Sequence, residues 1–311
     1  MENSVRKNLA KRQRRALIRR SIPYYWMLLP GILFVLVFNY LPLYGYKIAF
    51  EKFIPVKGFF APQQWKGLYY FNFILKSSDF RNAFVNTITI SFTKLICMAV
   101  AAILFSILLN EVQNSKIKRT VQTVVYFPHF LSWIILSYVF IDILSIDGMV
   151  NRFLGLFGVE PIFFLGSNKW FPFTLVVTDV WKEFGFNSIV YLAAITSIDP
   201  SLYESAVIDG ASRFKQTLHI TLPGILPVIM LVTLLNIGGV MNANFDQIYN
   251  LYSPTVYASG DVLDTLIYRI GLVQTNYSMS TAVSLFKSLV SMGMVGTCYY
   301  LAYRFAGYRI F

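Results

Sequence analysis

The chain has 311 residues, 56% of them hydrophobic and 14% charged, with a mean hydropathy of +0.56. These values lie outside the soluble globular range and mark an integral membrane protein. The net charge of +12 does not signal nucleic acid, because Lys and Arg crowd the edges of apolar segments instead of gathering on one face.

Residues 1–25 form a basic arm with Arg6, Lys7, Lys11, Arg12, Arg14, Arg15, Arg19 and Arg20, read as topogenic charge against anionic lipid. A bilayer core of about 30 Å takes roughly 20 apolar residues as a helix. Six such runs follow, at 26–46, 84–109, 121–141, 173–197, 224–245 and 282–303. The first is continued by Pro42 and Tyr44 with no small-residue cleavage site, so it reads as a retained helix and not a signal peptide. With the N-terminus inside, the inner segments carry 15 Lys and Arg in 70 residues and the outer ones 9 in 104. Both termini are therefore expected in the cytoplasm, although the outer loop 47–83 alone holds six cations.

Between the fourth and fifth runs, 198–223 is too polar to span. Asp199 is placed to cap a helix with Pro200 at its first position, and Leu202, Ala206 and Val207 give that helix an apolar stripe. Gly210 suits the left-handed residue that ends it. Ala211 or Ser212 then opens a second short helix expected to stop before Pro223. Such a pair fits a groove on a soluble partner or the surface of the bilayer, and the pattern alone favours neither.

Within this stretch Glu204, Ser205, Ala206, Asp209, Gly210 and Ala211, with Ile220, Thr221, Leu222 and Pro223 further on, resemble the EAA motif of binding-protein-dependent ABC importer permeases. Ser205 departs from the usual Ala, and Thr217 from an aromatic residue common in sugar-importing members. Further similarity lies in Pro42, Tyr44, Gly45, Ala49 and Phe50, in Asn86 and Thr87, in Phe245 to Leu251, in Asp261 to Leu272, and in Gly307 and Tyr308. This pattern is similar to the branch that carries polysaccharides and complex oligosaccharides. The resemblance implies an all-α type I importer fold with six transmembrane helices and a cytoplasmic coupling helix pair, in a bacterial cell membrane. It implies as partners a second related permease, two ATPases that bind Mg-ATP, an extracytoplasmic solute-binding protein and a carbohydrate. Tyr203, Glu204, Ser205, Ala206, Asp209, Gly210, Ala211, Ser212 and Phe214 would then face the ATPase. Residues 26–311 form the permease domain and 1–25 its arm.

Charges inside the runs require a reason in lipid. Lys287 is near enough to the outer end of its run to snorkel. Lys94 and Glu183 lie at similar depth, about 15 Å from the outer ends of their runs, and are candidates for a buried ion pair. The competing reading is a hydrated path lined by Trp181, Lys182, Glu183, Asn187, Asn236, Asn242, Asn244 and Phe245, with amides for hydroxyl groups and aromatic faces for C–H surfaces.

Enzymatic chemistry finds little support. His129 and His219 are the only histidines, Cys97 and Cys298 sit in apolar runs, and neither a metal-ligand spacing nor a GxxxxGK[ST] phosphate loop occurs. His129 has no evident partner by sequence. No catalytic, cofactor or metal site is expected in this chain, and any ATP would be hydrolysed by another subunit. A secondary transporter or channel would share the spans but would not require the motif at 198–223.

Overall fold

The structure, a computed structural model, describes Ser21 and residues 23–306. Most of the basic arm and the closing Gly307 and Tyr308 lie outside the described residues. Helix α1 (Pro23–Phe50) passes through π and 3₁₀ turns; it is exposed as far as Tyr44, while its 3₁₀ end packs Ala49 and Phe50 into a core cluster with Ile74, Phe80, Leu263 and Ala282. A two-residue hairpin follows, β1 (Glu51–Lys52) pairing antiparallel with β2 (Gln64–Trp65). Next come α2 (Tyr69–Lys76), α3 (Ser78–Glu111), α4 (Ser115–Phe130), α5 (Trp133–Ile143) and α6 (Met149–Gly155). Then α7 (Phe171–Thr196) leads into α8 (Pro200–Ile208) and α9 (Arg213–Ile237). The short α10 (Phe245–Leu251) and α11 (Leu263–Tyr268) precede the closing α12 (Tyr277–Ala306).

By length and apolar composition α1, α3, α9 and α12 can each cross a membrane, and α4 with α5 makes a fifth crossing if the bent pair is one span. The helix α7 has 26 residues, enough to span, but carries Asp179, Lys182 and Glu183. The packed centre is α3 against α7, which bury Ile90, Phe171 and Leu175 together with Ile248 and Leu251 of α10.

Three expectations from the sequence need correction. The run 121–141 is not one straight span: α4 and α5 meet at 102°. Pro128 removes a backbone donor, Leu131 and Ser132 are extended, and the Ser132 hydroxyl accepts from the N–H of Ile135 to start a new helix. The run 224–245 does not stay helical to its end. It stops at Ile237, and the chain unwinds through Gly238 and Gly239 to Asn244, which holds a left-handed backbone (φ 66°) before α10.

The third correction concerns Pro223, which does not end a second coupling helix. The turn Thr217–Thr221 is a π-helix, in which the N–H of Leu222 donates to the carbonyl of Thr217. This wider turn accepts a proline without N–H and moves the preceding carbonyls off its ring, so α9 continues unbroken into the membrane. One short helix, α8, therefore joins the first turn of a 25-residue helix that is about 37 Å long.

Candidate functional site

The candidate site residues gather in two places, one at each end of α9. At the membrane end, a cavity of about 260 Å³ opens between α3, α7 and the unwound segment after α9. It is lined by Ser91, Lys94, Leu95, Met98, Asp179, Glu183, Asn187, Asn236, Gly239, Val240, Asn242, Ala243 and Asn244. Six of the residues expected from the sequence, Lys94, Glu183, Asn187, Asn236, Asn242 and Asn244, thus come together. Trp181 does not join them and instead faces an apolar groove between α3 and α7. Lys182 turns to the other side, its Nζ 5.8 Å from the centre of the Trp133 ring and donating to the His129 carbonyl at 3.0 Å. Phe245 stacks on Tyr249 outside the cavity.

The expected pair of Lys94 with Glu183 does not form. Lys94, buried to 6% exposure, lies 3.8 Å from the carboxylate of Asp179, donates to the Ala243 carbonyl at 3.2 Å and bonds the Gln247 side-chain oxygen. Asn244 donates to the same Asp179 at 2.9 Å, and Gln247 gives its amide to Thr178 and to the Leu175 carbonyl. Asp179 stands one helical turn before Glu183, on the side of α7 that meets α3 and α10. Glu183 is already engaged, by Lys182 at 2.5 Å and by the Nδ1 of His129 at 2.6 Å. Lys94 therefore locks the unwound segment to α7, because its carbonyl, amide and carboxylate partners come from both.

His129, without a partner by sequence, is thus held by Glu183 and also lies flat on Phe186 with ring centres 3.9 Å apart. This contact needs α4 close to α7. Gly185 permits it, since a Cβ there would fall 2.5 Å from the Val125 carbonyl oxygen. Lys287 does not snorkel either: it bonds the Asp264 carboxylate and donates to Asn242 at 2.7 Å. Each of the four cations Lys94, Lys182, Arg269 and Lys287 has a carboxylate partner, Arg269 bonding Asp261. Asp179 is visible in the sequence as a charge inside an apolar run, but its partner is not, and Gln247, His129 and Asp264 are neighbours of these cations that the sequence does not reveal.

At the other end, α8 starts as the sequence predicts. The Ser201 N–H donates to Asp199 at 3.0 Å, a bond that holds this carboxyl below its usual pKa range. Gly210 closes α8 with φ +73° and open space around it. Ser212 caps α9, and the Gln216 amide donates to the Ala211 carbonyl at 2.9 Å. Tyr203 reaches across from α8 to α9, its hydroxyl 2.9 Å from that of Thr221 at the end of the π turn. Glu204, Val207, Ile208 and Phe214 are exposed, while Ala206 and Ala211 are half-buried. Arg213 pairs with Glu111 at 3.5 Å, so the end of α3 lies beside α8 and the start of α3, with the hairpin, lies on the opposite side.

A family described as binding-protein-dependent transport system inner membrane component matches residues 99–254, a stretch that holds both the cavity residues of α7 and α9 and the whole of α8. The chain belongs to this family. Protein LplB of Bacillus subtilis (strain 168) is 37% identical over 93% of this chain and 91% of its own. The polygalacturonan/rhamnogalacturonan transport system permease protein YteP of the same organism is 38% identical over 90% of this chain and 88% of its own. A crystal structure of a bacterial ABC transporter involved in the import of the acidic polysaccharide alginate contains a chain that is 37% identical to this one. The two superpose with a TM-score of 0.86 over 94% of this permease and 99% of that chain. The fold is therefore that of an ABC importer permease, and α8 is the element that the EAA motif marks.

Proposed function

We propose that this permease carries an oligosaccharide or a polysaccharide fragment, received from an extracytoplasmic solute-binding protein, through the bacterial cell membrane. Six crossings place both termini and α8 in the cytoplasm. A second permease completes the path, and two ATPases bind Mg-ATP and dock on α8, the turn after it and the start of α9 through Tyr203, Glu204, Ser205, Ala206, Asp209, Gly210, Ala211, Ser212 and Phe214. This chain contributes no catalytic group. The observation that carries the reading is the continuity of α9, one helix with the coupling element at its first turn and the amide-lined cavity at its last. Motion of α8, pinned to α9 by Tyr203 and Thr221, is delivered to Asn236 and the unwound segment beyond it.

Two relatives support the carbohydrate: the polygalacturonan/rhamnogalacturonan permease, and the alginate importer, which is also known in complex with an alginate pentasaccharide-bound periplasmic protein and whose permease chain is 37% identical to this one. The cavity suits such a cargo, since amides bond hydroxyl groups without demanding a charge. Reconstituted in vesicles with its ATPases and binding protein, the complex should take up labelled oligogalacturonate or alginate oligomer only when ATP is hydrolysed. Uptake without ATP would instead identify a secondary transporter or channel. In a background lacking Cys97 and Cys298, Ser115→Cys and Ser212→Cys should resist an impermeant thiol reagent in intact cells while Ser167→Cys is labelled. The reverse pattern would invert the topology.

A further inference from the structure

The hairpin after α1 carries a loop that turns back along the helix it follows. Helix α1 ends at Phe50 in 3₁₀ turns, which rise about 2 Å per residue, so Tyr44 lies about 12 Å below that end. Beyond β1 the chain does not rise away from the membrane. The rings of Phe59 and Phe60 come down to 5.8 Å and 6.2 Å from the ring of Tyr44, and a Cβ on Gly45 would meet the Phe59 ring at 3.9 Å. Gln63 holds the turn closed: its side-chain oxygen accepts from the N–H of Ile54 at 3.2 Å, and its amide donates to the Gly58 carbonyl at 3.2 Å. At the neck, Trp65 stacks on Phe50 at 5.7 Å and the Phe53 N–H donates to Ser278 of α12 at 3.0 Å, which fixes the loop to the body of the protein.

The free face of the loop is apolar and its border is cationic. Val56 is 97% exposed, Phe60 82% and Trp65 64%. Lys52, Lys57 and Lys66 flank them, exposed and without a carboxylate partner among the described residues. They are three of the six cations of the loop 47–83 that run against the charge bias of the other outer segments, whereas Lys47 pairs with Glu51.

Lipid fits this face better than a soluble partner does. Tyr44 belongs to the first apolar run, and α1 is exposed as far as Tyr44, so rings stacked on it extend a surface already turned to hydrocarbon. A protein approaching from the aqueous side would meet the end of α1 and the neck of the hairpin before it reached rings about 12 Å lower. Aromatic and aliphatic side chains at the edge of the hydrocarbon, with lysines long enough to reach past them to phosphate, are the pattern of an interfacial segment.

We propose that residues 53–63 are an interfacial anchor: Val56, Phe59 and Phe60 enter the leaflet at the outer end of α1, while Lys52, Lys57 and Lys66 bind the phosphate groups of anionic lipid. The lipid contact rests on α1 crossing the membrane and is independent of the cargo. Only the identity of the leaflet rests on the topology proposed above.

The test uses the complete transporter in vesicles of mixed phosphatidylcholine and phosphatidylglycerol, in a background lacking Cys97 and Cys298. A polarity-sensitive fluorophore on Phe60→Cys should emit at short wavelength, be quenched by a doxyl group near the headgroup end of a lipid chain, and resist aqueous iodide. The same fluorophore on Val56→Cys, at a side chain that is almost fully exposed, keeps the test available should Phe60→Cys fail to assemble. Each of Lys52→Gln, Lys57→Gln and Lys66→Gln should raise the concentration of phosphatidylglycerol that half-saturates the complex in detergent by about fivefold. Strong quenching by iodide with none by the lipid-borne doxyl group overturns the anchor, and a short-wavelength signal that arises only when the solute-binding protein is added assigns the face to that protein instead. Unchanged phosphatidylglycerol binding in all three variants overturns the headgroup contact. None of these outcomes touches the carbohydrate reading, which uptake decides.

Discussion

The two ends of α9 are held in contrasting ways. At the end that carries α8 the devices are local and largely solvent-exposed: the Asp199 and Ser212 caps, the left-handed Gly210, and a single Tyr203–Thr221 bond between residues 18 apart. At the membrane end they are buried and distant in sequence, with Lys94 bonding Ala243 across 149 residues and Gln247 across 153, and Asn244 reaching Asp179 across 65. A surface that must dock and release a partner tolerates exposed, individually weak contacts. A cavity in a low-dielectric layer does not, because an unpaired charge there costs several kcal/mol.

The contrast is broken most directly at Lys94. Lys94→Met or Asp179→Leu leaves its partner buried and uncompensated, and should cost about 3–5 kcal/mol, seen as loss of assembled complex. The double variant should recover yield, because two apolar side chains leave no stranded charge. Glu183→Gln takes the carboxylate from buried Lys182 but leaves it the His129 carbonyl and the Trp133 ring, so it should lower yield less than Lys94→Met does. Equal yields from all four would mean that the Lys94 network is hydrated in the assembled transporter.

Gly210→Val tests the other end. A β-branched residue at φ +73° costs about 1–2 kcal/mol of local strain, and it should distort α8 without disturbing the cavity. Assembly should be near normal while the ATP hydrolysed per molecule imported rises severalfold, measured as ATPase and uptake on the same vesicles. A wild-type ratio would remove α8 from the coupling path.

Smaller effects sharpen the comparison. Tyr203→Phe and Thr221→Val each remove one hydrogen bond worth about 1 kcal/mol, and the double variant should be no worse than either single one. Additive losses of coupling in that cycle would show that the two hydroxyls act separately. The smallest change is expected from His129→Phe, which keeps a ring on Phe186 and removes only the bond to Glu183. Its thermal unfolding in detergent should shift slightly downward, and a large shift would make this bond the main restraint on the bent α4–α5 pair.

How much of this could be read beforehand follows the same division. The start of α8, its end at Gly210 and the position of the motif depend on contacts within a few residues, and caps and turn residues report these directly. The cavity residues were half legible: a polar amide in an apolar run is conspicuous, so Asn187, Asn236, Asn242 and Asn244 stood out, but whether each faces the cavity depends on how α7 is rotated. Trp181 and Lys182, adjacent to Glu183, face other surroundings for that reason alone. The choice of Asp179 over Glu183 as the partner of Lys94 turns on one helical turn, a difference that depth from the membrane surface is too coarse to resolve.

Composition and the length of the apolar runs determined that the chain is a helical membrane protein, because a bilayer leaves few ways to satisfy a backbone. The motif at 198–223 marked the chain as a binding-protein-dependent permease and fixed the position of α8. Only the tertiary structure decided that α4 and α5 bend at 102°, that a π turn carries α9 through Pro223, and that the segment after Ile237 unwinds onto Asp179. Each of these is a local departure from helix geometry whose alternative bonding comes from side chains tens of residues away or from a neighbouring turn. Sequence order does not record such proximity; packing does.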